Sequence, residues 1–188
     1  MTLVQPSEEA AFRAGPMVNL PALMKSLGRD PAPIFEAFGF EETLLDSPNN
    51  RIPFVKFSDV LERCVRETGR DDLGLLLGQM SSPSHLGLPG FLMLSASSVE
   101  AALHALMDSF DLHDRGGALS LEIGARHTTL RYSLLLPNTR AVSQIYDLSA
   151  VTMNESMKRL CGKEYRADSV SPVSYTHLRA HETASFIS

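Results

Sequence analysis

The feature that most constrains this chain is an apolar stretch, residues 84–111, in which one sharp joint separates two segments of helical character. Pro89 suits the first turn of a short apolar helix, because its ring fixes φ and its missing N–H has no helical partner there. Ser97 and Glu100 stand at the spacing of a capping box, which predicts that a second helix follows. A helix pair of this kind leaves an apolar stripe uncovered, so the flanking chain must supply the rest of a core.

The second predicted helix has an apolar face and a charged face. The apolar face repeats at helical spacing and comprises Val99, Leu103, Leu106 and Phe110. The opposite face carries His104, Asp108 and Asp111, and His113 and Asp114 follow in the chain. Imidazoles and carboxylates can bind a metal ion or transfer protons. Because this face lies opposite the apolar stripe, we interpret the cluster as solvent-exposed. A small metal- or acid/base-dependent enzyme that uses His104, Asp108 and Asp111 is the alternative function.

The other periodic patterns predict an α+β fold, with helices packed on a small antiparallel sheet. After Gly117 the apolar period changes from 3.6 to 2, and two alternating segments separated by a turn indicate a hairpin with one apolar face. Gly69 and Gly162 are placed to end helices. The predicted helices span residues 20–27, 31–38, 54–68 and 139–161, with a further one opening at Asp71-Asp72, and the predicted strands span residues 119–123 and 129–134.

The segment HLGLPGFLMLSASSVEAALHAL resembles the hallmark of the N-terminal effector-sensing (arabinose-binding-like) domain of AraC-type transcriptional regulators. Leu86, Gly87, Gly90 and Phe91 fall in or beside the family pattern, and the likeness extends over roughly residues 18–172. The resemblance implies a bacterial, cytoplasmic regulator that senses a small-molecule effector. In that family a C-terminal pair of helix-turn-helix units binds DNA, and the sensor domain binds the effector or a second protomer, so a homodimer is a further expected partner.

We divide the chain into three parts. Residues 1–16 are small and polar and are expected to form a flexible arm. Residues 17–172 form the sensor domain, which we expect to be incomplete and to lack its DNA-binding half. Residues 173–188 contain SYTHLRAHET, which looks like the translation of a transposon-type sequencing adapter, so we predict that this tail is not native.

The composition argues against two classes of partner. The net charge is −5, and the chain has no cluster of basic residues, so a nucleic-acid-binding face is not expected and DNA would be bound only through the missing C-terminal domain. The apolar runs are too short to span a bilayer.

Two residues are candidate effector ligands. His85 precedes the Gly87–Gly90 segment, where it could line a pocket. Tyr132 lies on the apolar face of the second predicted strand, so its hydroxyl could donate a hydrogen bond into a pocket beneath the sheet. We predict no catalytic residues, no metal ligands and no cofactor.

Overall fold

A computed structural model describes residues 10–137, 139–173 and 183–187 of the 188-residue chain. These residues form an α+β fold, as the sequence predicts. The α-helices of the described part are α1 (Leu20–Ser26), α2 (Ala32–Ala37), α3 (Phe54–Thr68), α4 (Leu73–Gln79), α5 (Leu88–Ser95), α6 (Val99–Ser109) and α7 (Val142–Cys161). The strands are β1 (Ala11–Arg13), β2 (Arg51–Pro53), β3 (Gly117–Ile123), β4 (Thr128–Leu134), β5 (Ser169–Val173) and β6 (Thr183–Ile187).

The strands form two antiparallel sheets. β1 pairs with β2 in a short ribbon, and the larger sheet has the order β3-β4-β6-β5. The β3–β4 hairpin places Leu119 opposite Tyr132 and Leu121 opposite Leu130, which puts its apolar side chains on one face. The N–H of Gly124 donates a 2.9 Å hydrogen bond to the carbonyl of His127 and closes the turn. The alternation in the sequence therefore predicts this hairpin correctly.

Helix α3 has the boundaries that its sequence predicts. Phe57, Leu61 and Cys64 are buried on one side, at the spacing of a helical stripe. Gly69 follows the helix with φ of 64°, a left-handed conformation that glycine adopts without a steric penalty. This amphipathic helix forms one wall of the main core.

Helices α4 and α7 pack in very close contact. A Cβ atom at Gly74 would lie 2.2 Å from the carbonyl oxygen of Gln144, and one at Gly78 would lie 2.7 Å from Cβ of Val151. The N–H of Gly74 donates a 2.7 Å hydrogen bond to Oε1 of Gln144, so a side chain of α7 caps the start of α4. The two glycines bring α7 close enough for it to cover both the core and the sheet.

The structure differs from the sequence prediction at the N-terminus. Residues 1–9 lie outside the described residues, but residues 10–16 are not an arm. Phe12 is 5% exposed, because β1 pairs with β2 on one side and forms a single bridge to Asp114 on the other. This segment is part of the core, and its polar sequence did not indicate that.

The start of α6 also differs from the prediction. The cap is Ser98 rather than Ser97, and its Oγ accepts a 3.1 Å hydrogen bond from the N–H of Ala101. In α5, Pro89 and Met93 are buried. Four apolar side chains of the same helix remain exposed, namely Leu88, Phe91, Leu92 and Leu94.

The predicted tail contributes a strand to the larger sheet. The backbone of β6 pairs with β4 along Thr129–Ser133 and with β5 along its whole length. The sequence shows no alternation that would predict this strand. Whether residues 173–188 are native is a separate matter and stays a prediction.

Candidate functional site

The hairpin β3–β4, helix α3, strand β1 and helix α7 surround a cavity of about 70 Å³. Its wall is mostly apolar, and each of the four elements contributes side chains. The apolar lining residues are Phe12, Pro16, Phe54, Phe57, Leu86, Phe110, Leu119, Leu130, Ile145, Leu148 and Met153. The polar lining residues are His113, Asp114, Tyr132, Ser149 and Thr152.

Asp114 is a buried carboxylate that accepts three hydrogen bonds. Its Oδ1 accepts from the N–H groups of Gly116 and Gly117, at 2.7 and 3.2 Å, and its Oδ2 accepts from the hydroxyl of Tyr132 at 2.8 Å. Burial raises the pKa of Asp114, and these hydrogen bonds together with the charge of Arg51 partly oppose that rise. Burial also raises the pKa of Tyr132 well above its ordinary value, with the neighbouring Asp114 acting in the same direction. Tyr132 is therefore a neutral donor at physiological pH.

The two glycines after Asp114 allow this arrangement. A Cβ at Gly116 would lie 2.3 Å from the ring of Phe54, and a Cβ at Gly117 would lie 2.3 Å from the ring of Tyr132. Only glycine lets the backbone N–H groups reach the carboxylate while both rings pack against the same turn. The sequence Asp-x-Gly-Gly thus builds a rigid, hydrogen-bonded corner at the edge of the cavity.

His113 is buried beside two guanidinium groups. Its carbonyl accepts hydrogen bonds from the N–H of Arg13, at 2.8 Å, and from Nη1 of Arg51, at 3.2 Å. Burial and the positive charges of Arg13 and Arg51 lower the pKa of His113 to about 3, so the imidazole is neutral at physiological pH. Within the described part of the chain, no hydrogen-bond partner reaches its Nδ1 atom.

The polar side chains of α7 that line the cavity differ in their hydrogen bonding. Ser149 donates to the carbonyl of Ile145 at 2.8 Å, one helical turn earlier. Thr152 is buried, and its Oγ1 atom has no hydrogen-bond partner among the residues that the structure describes. Two residues of the lining, Thr152 and His113, thus each have a buried polar atom without a partner among the described residues. Buried polar atoms are almost always paired, so these two are exceptions.

The structure separates the two candidate ligand residues. Tyr132 lines the cavity, on the face that the alternation of β4 predicts. His85 is half-buried and is not among the lining residues. Its Nδ1 atom accepts a 3.3 Å hydrogen bond from the N–H of Ser82, which makes it part of a capping box on a short 3₁₀ helix, Pro83–Leu86. The structure gives His85 this local role, and effector binding by either residue stays a prediction.

The charged cluster after Leu103 also divides into two groups. His104, Asp108 and Asp111 are exposed, as the helical phase predicts. His113 and Asp114 are buried in the cavity wall, so the interpretation of the whole cluster as solvent-exposed was wrong for these two. A short 3₁₀ turn after Ser109 redirects the chain inward. In residues 10–137, 139–173 and 183–187, no group of three His, Cys, Asp or Glu side chains could hold a metal ion.

The sequence contained a signal for this site that its periodicity did not reveal. An Asp whose side chain bonds the backbone N–H two residues later forms an Asx turn, and glycines favour such turns. Asp114-Arg115-Gly116-Gly117 is such a sequence, and Oδ1 of Asp114 accepts from Gly116 N–H. The buried imidazole of His113 had no comparable signal, because its environment is assembled from β1 and β2.

Comparison with known proteins identifies the family. The sequence pattern described as "Arabinose-binding domain of AraC transcription regulator, N-term" matches residues 28–183, well over half of the chain. The chain belongs to this family. Among curated proteins, the AraC-type domain is similar to the "Ornithine utilization regulator" of Pseudomonas aeruginosa, with 33% identity over 70 residues. That alignment covers 37% of this chain and 21% of the relative.

Membership in this family agrees with the resemblance noted from the sequence. It supports the role of a ligand-sensing domain in a transcription regulator. In the described parts of this domain, no helix has both the length and the apolar character needed to cross a membrane.

Proposed function

We propose that this AraC-type domain senses a small-molecule effector, which binds in the cavity between the β3–β4 hairpin and α7. The observation that carries the proposal is a cavity whose wall is mostly apolar and contains a few polar side chains, among them Tyr132, Ser149 and Thr152. Ligand sites are typically concave and apolar, with a few polar groups that fix the orientation of the ligand.

The position of the cavity would let an effector influence the whole domain. Phe12 of β1, Phe57 of α3, Tyr132 of β4 and Ile145 of α7 all line it. A molecule bound there would contact elements from the beginning, the middle and the end of the fold. Binding to the folded state stabilises it, and differential binding to two arrangements of these elements would shift their populations.

In this proposal the chain senses the effector, and the other functions of the regulator belong to residues outside this chain. DNA binding would belong to a C-terminal part of the regulator, since this chain has a net charge of −5. We propose a non-enzymatic role, because the exposed His104, Asp108 and Asp111 lie outside the cavity. A cytoplasmic location is proposed from the family of transcription regulators. The relative's name refers to ornithine utilization, but the apolar lining here favours a less polar effector than a diamino acid. Homodimer formation stays a prediction that analytical ultracentrifugation can test.

The experiment is a thermal-shift screen of small metabolites against the wild-type chain and two overpacked variants. A ligand at about 100 times its Kd should add roughly 2.7 kcal/mol to the stability. Ile145→Phe narrows the cavity and should abolish the shift. Leu20→Phe overpacks α1, away from the cavity lining, and should keep it; each substitution costs about 1–3 kcal/mol by itself. Equal shifts in both variants would place the ligand elsewhere, and a screen without any stabilising compound would contradict the proposal.

The proposal that DNA is bound by a part of the regulator outside this chain has its own test. Gel-shift titrations at low and moderate salt should detect no saturable, sequence-selective DNA binding by this chain. A protein that contacts several phosphates shows a salt dependence of about −0.9 in log–log slope per contact. Selective binding by the chain alone would show that it contains a DNA-reading surface.

A further inference from the structure

We infer that the outer face of α5 is a docking surface for a basic amphipathic helix of a partner protein. The surface has an apolar centre, formed by the exposed side chains Leu88, Phe91, Leu92 and Leu94. It has an acidic border, formed by the neighbouring helix α6 and the short turn that follows it. The surface is separate from the cavity, because no residue of α5 belongs to the cavity lining.

Helix α5 is apolar on all sides, although one side of it faces solvent. Every residue from Leu88 to Leu94 is apolar or glycine. Phe91 and Leu88 are 58% and 53% exposed, which makes them the two most exposed large apolar side chains of the described residues. A helix that is hydrophobic all round is normally buried, and a contiguous exposed apolar patch marks an interaction site. We therefore expect a partner to cover this side of α5.

The exposed side chains have the spacing that suits a partner helix. Leu88, Phe91 and Leu92 stand at positions i, i+3 and i+4, so they form one ridge along α5. On the inner side of α5, Met93 packs in one core cluster with residues of α6, and only residues 96–98 separate the two helices in the chain. Helices pack by fitting such ridges into the grooves of a neighbour. A third helix can therefore lie on α5 and beside α6.

The net charge of the chain is located in the segment that contains this face. Residues 71–114, which include α4, α5 and α6, contain no Lys or Arg and six of the chain's 22 Asp and Glu. The other 16 acidic residues almost balance the 17 Lys and Arg, so this segment accounts for the net charge of −5. Its acidic residues are Asp71, Asp72, Glu100, Asp108, Asp111 and Asp114.

Three of these carboxylates lie on α6 or just after it and are available to a partner. Glu100, Asp108 and Asp111 are exposed, and they take part in none of the ion pairs between described residues. The axes of packed helices lie about 8–10 Å apart, which is about one Debye length at physiological ionic strength. Cations of a helix that lies on α5 would therefore be attracted by the carboxylates of α6.

Two arginines contact one end of this surface. The guanidinium of Arg13 packs against Gly87, which immediately precedes α5. Arg51 donates a hydrogen bond to the carbonyl of Leu112, the residue after Asp111. These positive charges offset Asp111 at that end. Glu100 and Asp108 therefore set the sign of the border along the rest of α6.

The charge distribution also disfavours a second copy of this chain as the occupant. A two-fold dimer places the same patch on both sides of the interface, so each copy would bring an acidic border to it. A basic amphipathic helix instead presents apolar side chains to α5 and cations to α6. Amphipathic helices that dock in apolar grooves are recognised in this way, and complementary charge selects among them.

Two synthetic peptides test the inference on the whole chain. One is an amphipathic Leu/Lys peptide of about 15 residues, long enough to form a helix, and the other has Glu at every Lys position. Fluorescence anisotropy measures the binding of each labelled peptide. The Leu/Lys peptide should bind at least about 10-fold more tightly than the Leu/Glu peptide, and added salt should weaken it.

Variants locate the bound peptide. Phe91→Gln removes the aromatic centre of the face and should weaken the Leu/Lys peptide about 10-fold. The matched control is Val55→Gln, at an exposed apolar position of α3, and it should leave the affinity within about 2-fold. Leu88→Gln on the same face of α5 replaces Phe91→Gln if that variant does not fold.

A second pair of variants tests the acidic border. Asp108→Asn should weaken the Leu/Lys peptide about 2- to 5-fold, as expected for one exposed charge contact. Glu36→Gln removes an exposed carboxylate from α2, away from the proposed surface, and should not change the affinity.

The remaining outcomes would overturn the inference. Equal binding of the two peptides, or no binding of the Leu/Lys peptide, would show that the surface does not select a basic helix. Equal effects of Phe91→Gln and Val55→Gln would show that the peptide binds elsewhere. Sedimentation velocity of the free chain tests the second copy. A dimer that Phe91→Gln dissociates would show that the chain itself covers α5.

Discussion

The hydroxyl of Tyr132 donates a 2.8 Å hydrogen bond to Oδ2 of Asp114, which joins β4 to the turn that follows α6. Both side chains are buried, and Asp114 also accepts from two backbone N–H groups of that turn. The bond therefore fixes the corner at which the hairpin begins. It also occupies the acidic group of the cavity lining.

Tyr132→Phe should destabilise the protein by about 1–3 kcal/mol, because it removes a donor from a buried carboxylate. Urea unfolding at pH 7 measures the change. Tyr165→Phe, at a half-buried tyrosine outside this cavity lining, is the control and should stay within about 0.5 kcal/mol. Equal effects of the two substitutions would show that the hydrogen bond to Asp114 adds nothing to stability.

The buried imidazole of His113 should make stability fall in mild acid. Its pKa is lowered from 6.5 to about 3 in the folded protein. Between these two pH values His113 binds a proton more strongly in the unfolded chain than in the folded protein. The contribution of His113 to the free energy of unfolding is therefore complete above about pH 6.5, and it is lost as the pH falls toward about 3. The loss is about 1.4 kcal/mol per pH unit, or about 2 kcal/mol between pH 6.5 and 5.

Urea unfolding at pH 7, 6 and 5 can measure this slope. Asp114 contributes with the opposite sign, because its raised pKa gives stability that is lost as the pH rises through the folded-state value. His113→Gln should therefore flatten the wild-type slope or reverse it. An unchanged slope in His113→Gln would mean that His113 is not the group that titrates.

Elements with a single dominant period could be predicted from the sequence. Helix α3 matches its predicted bounds, because its apolar stripe is regular and Gly69 ends it. The hairpin is correct because one face of each strand is buried, and a one-residue slip would expose that face. The position of Tyr132 in the cavity wall follows directly from this alternation.

The rest of the site depends on contacts between distant parts of the chain. β1 is three residues long and is buried only because β2 and the turn at Asp114 flank it. The buried side of helix α7 contains the polar residues Gln144, Thr152 and Ser156. Gln144 bonds α4, Thr152 lines the cavity, and Ser156 donates a hydrogen bond to the carbonyl of Thr152. Hydropathy alone assigns such residues to solvent.

Adjacent residues on α6 test the helix phase. Leu103 is 6% exposed and packs with Met153 and Met157 of α7, whereas His104 is exposed. Leu103→Ala should cost about 2–5 kcal/mol, and His104→Ala should stay within about 0.5 kcal/mol. Chemical unfolding of the two variants under the same conditions compares them. Similar costs would show that the apolar stripe of α6 has been assigned to the wrong side.

The close packing of α4 on α7 predicts an unusual response at Gly74. An alanine in place of an exposed helical glycine gains up to about 1 kcal/mol. Here the added Cβ would lie 2.2 Å from a backbone oxygen of α7, which has no side-chain freedom to move away. Gly74→Ala should instead destabilise by about 1–3 kcal/mol or more. Gln79→Ala, at an exposed position of α4, serves as control in thermal unfolding, and a gain in Gly74→Ala would show that the helices are further apart.

The unpaired hydroxyl of Thr152 predicts a substitution that stabilises the free protein. Within the described residues its Oγ1 is buried without a partner, so the ligand-free fold loses hydration there and gains no hydrogen bond in return. Valine has nearly the same shape and a similar helix propensity. Thr152→Val should therefore raise the unfolding free energy of the ligand-free protein by about 1 kcal/mol.

Ser156→Ala, which removes a buried hydroxyl that is already paired, should lower the unfolding free energy by about 1 kcal/mol. Opposite signs in urea unfolding would mark Thr152 as a residue kept polar at the expense of stability. A loss in Thr152→Val as large as that in Ser156→Ala would mean that its hydroxyl is already satisfied in the absence of a ligand.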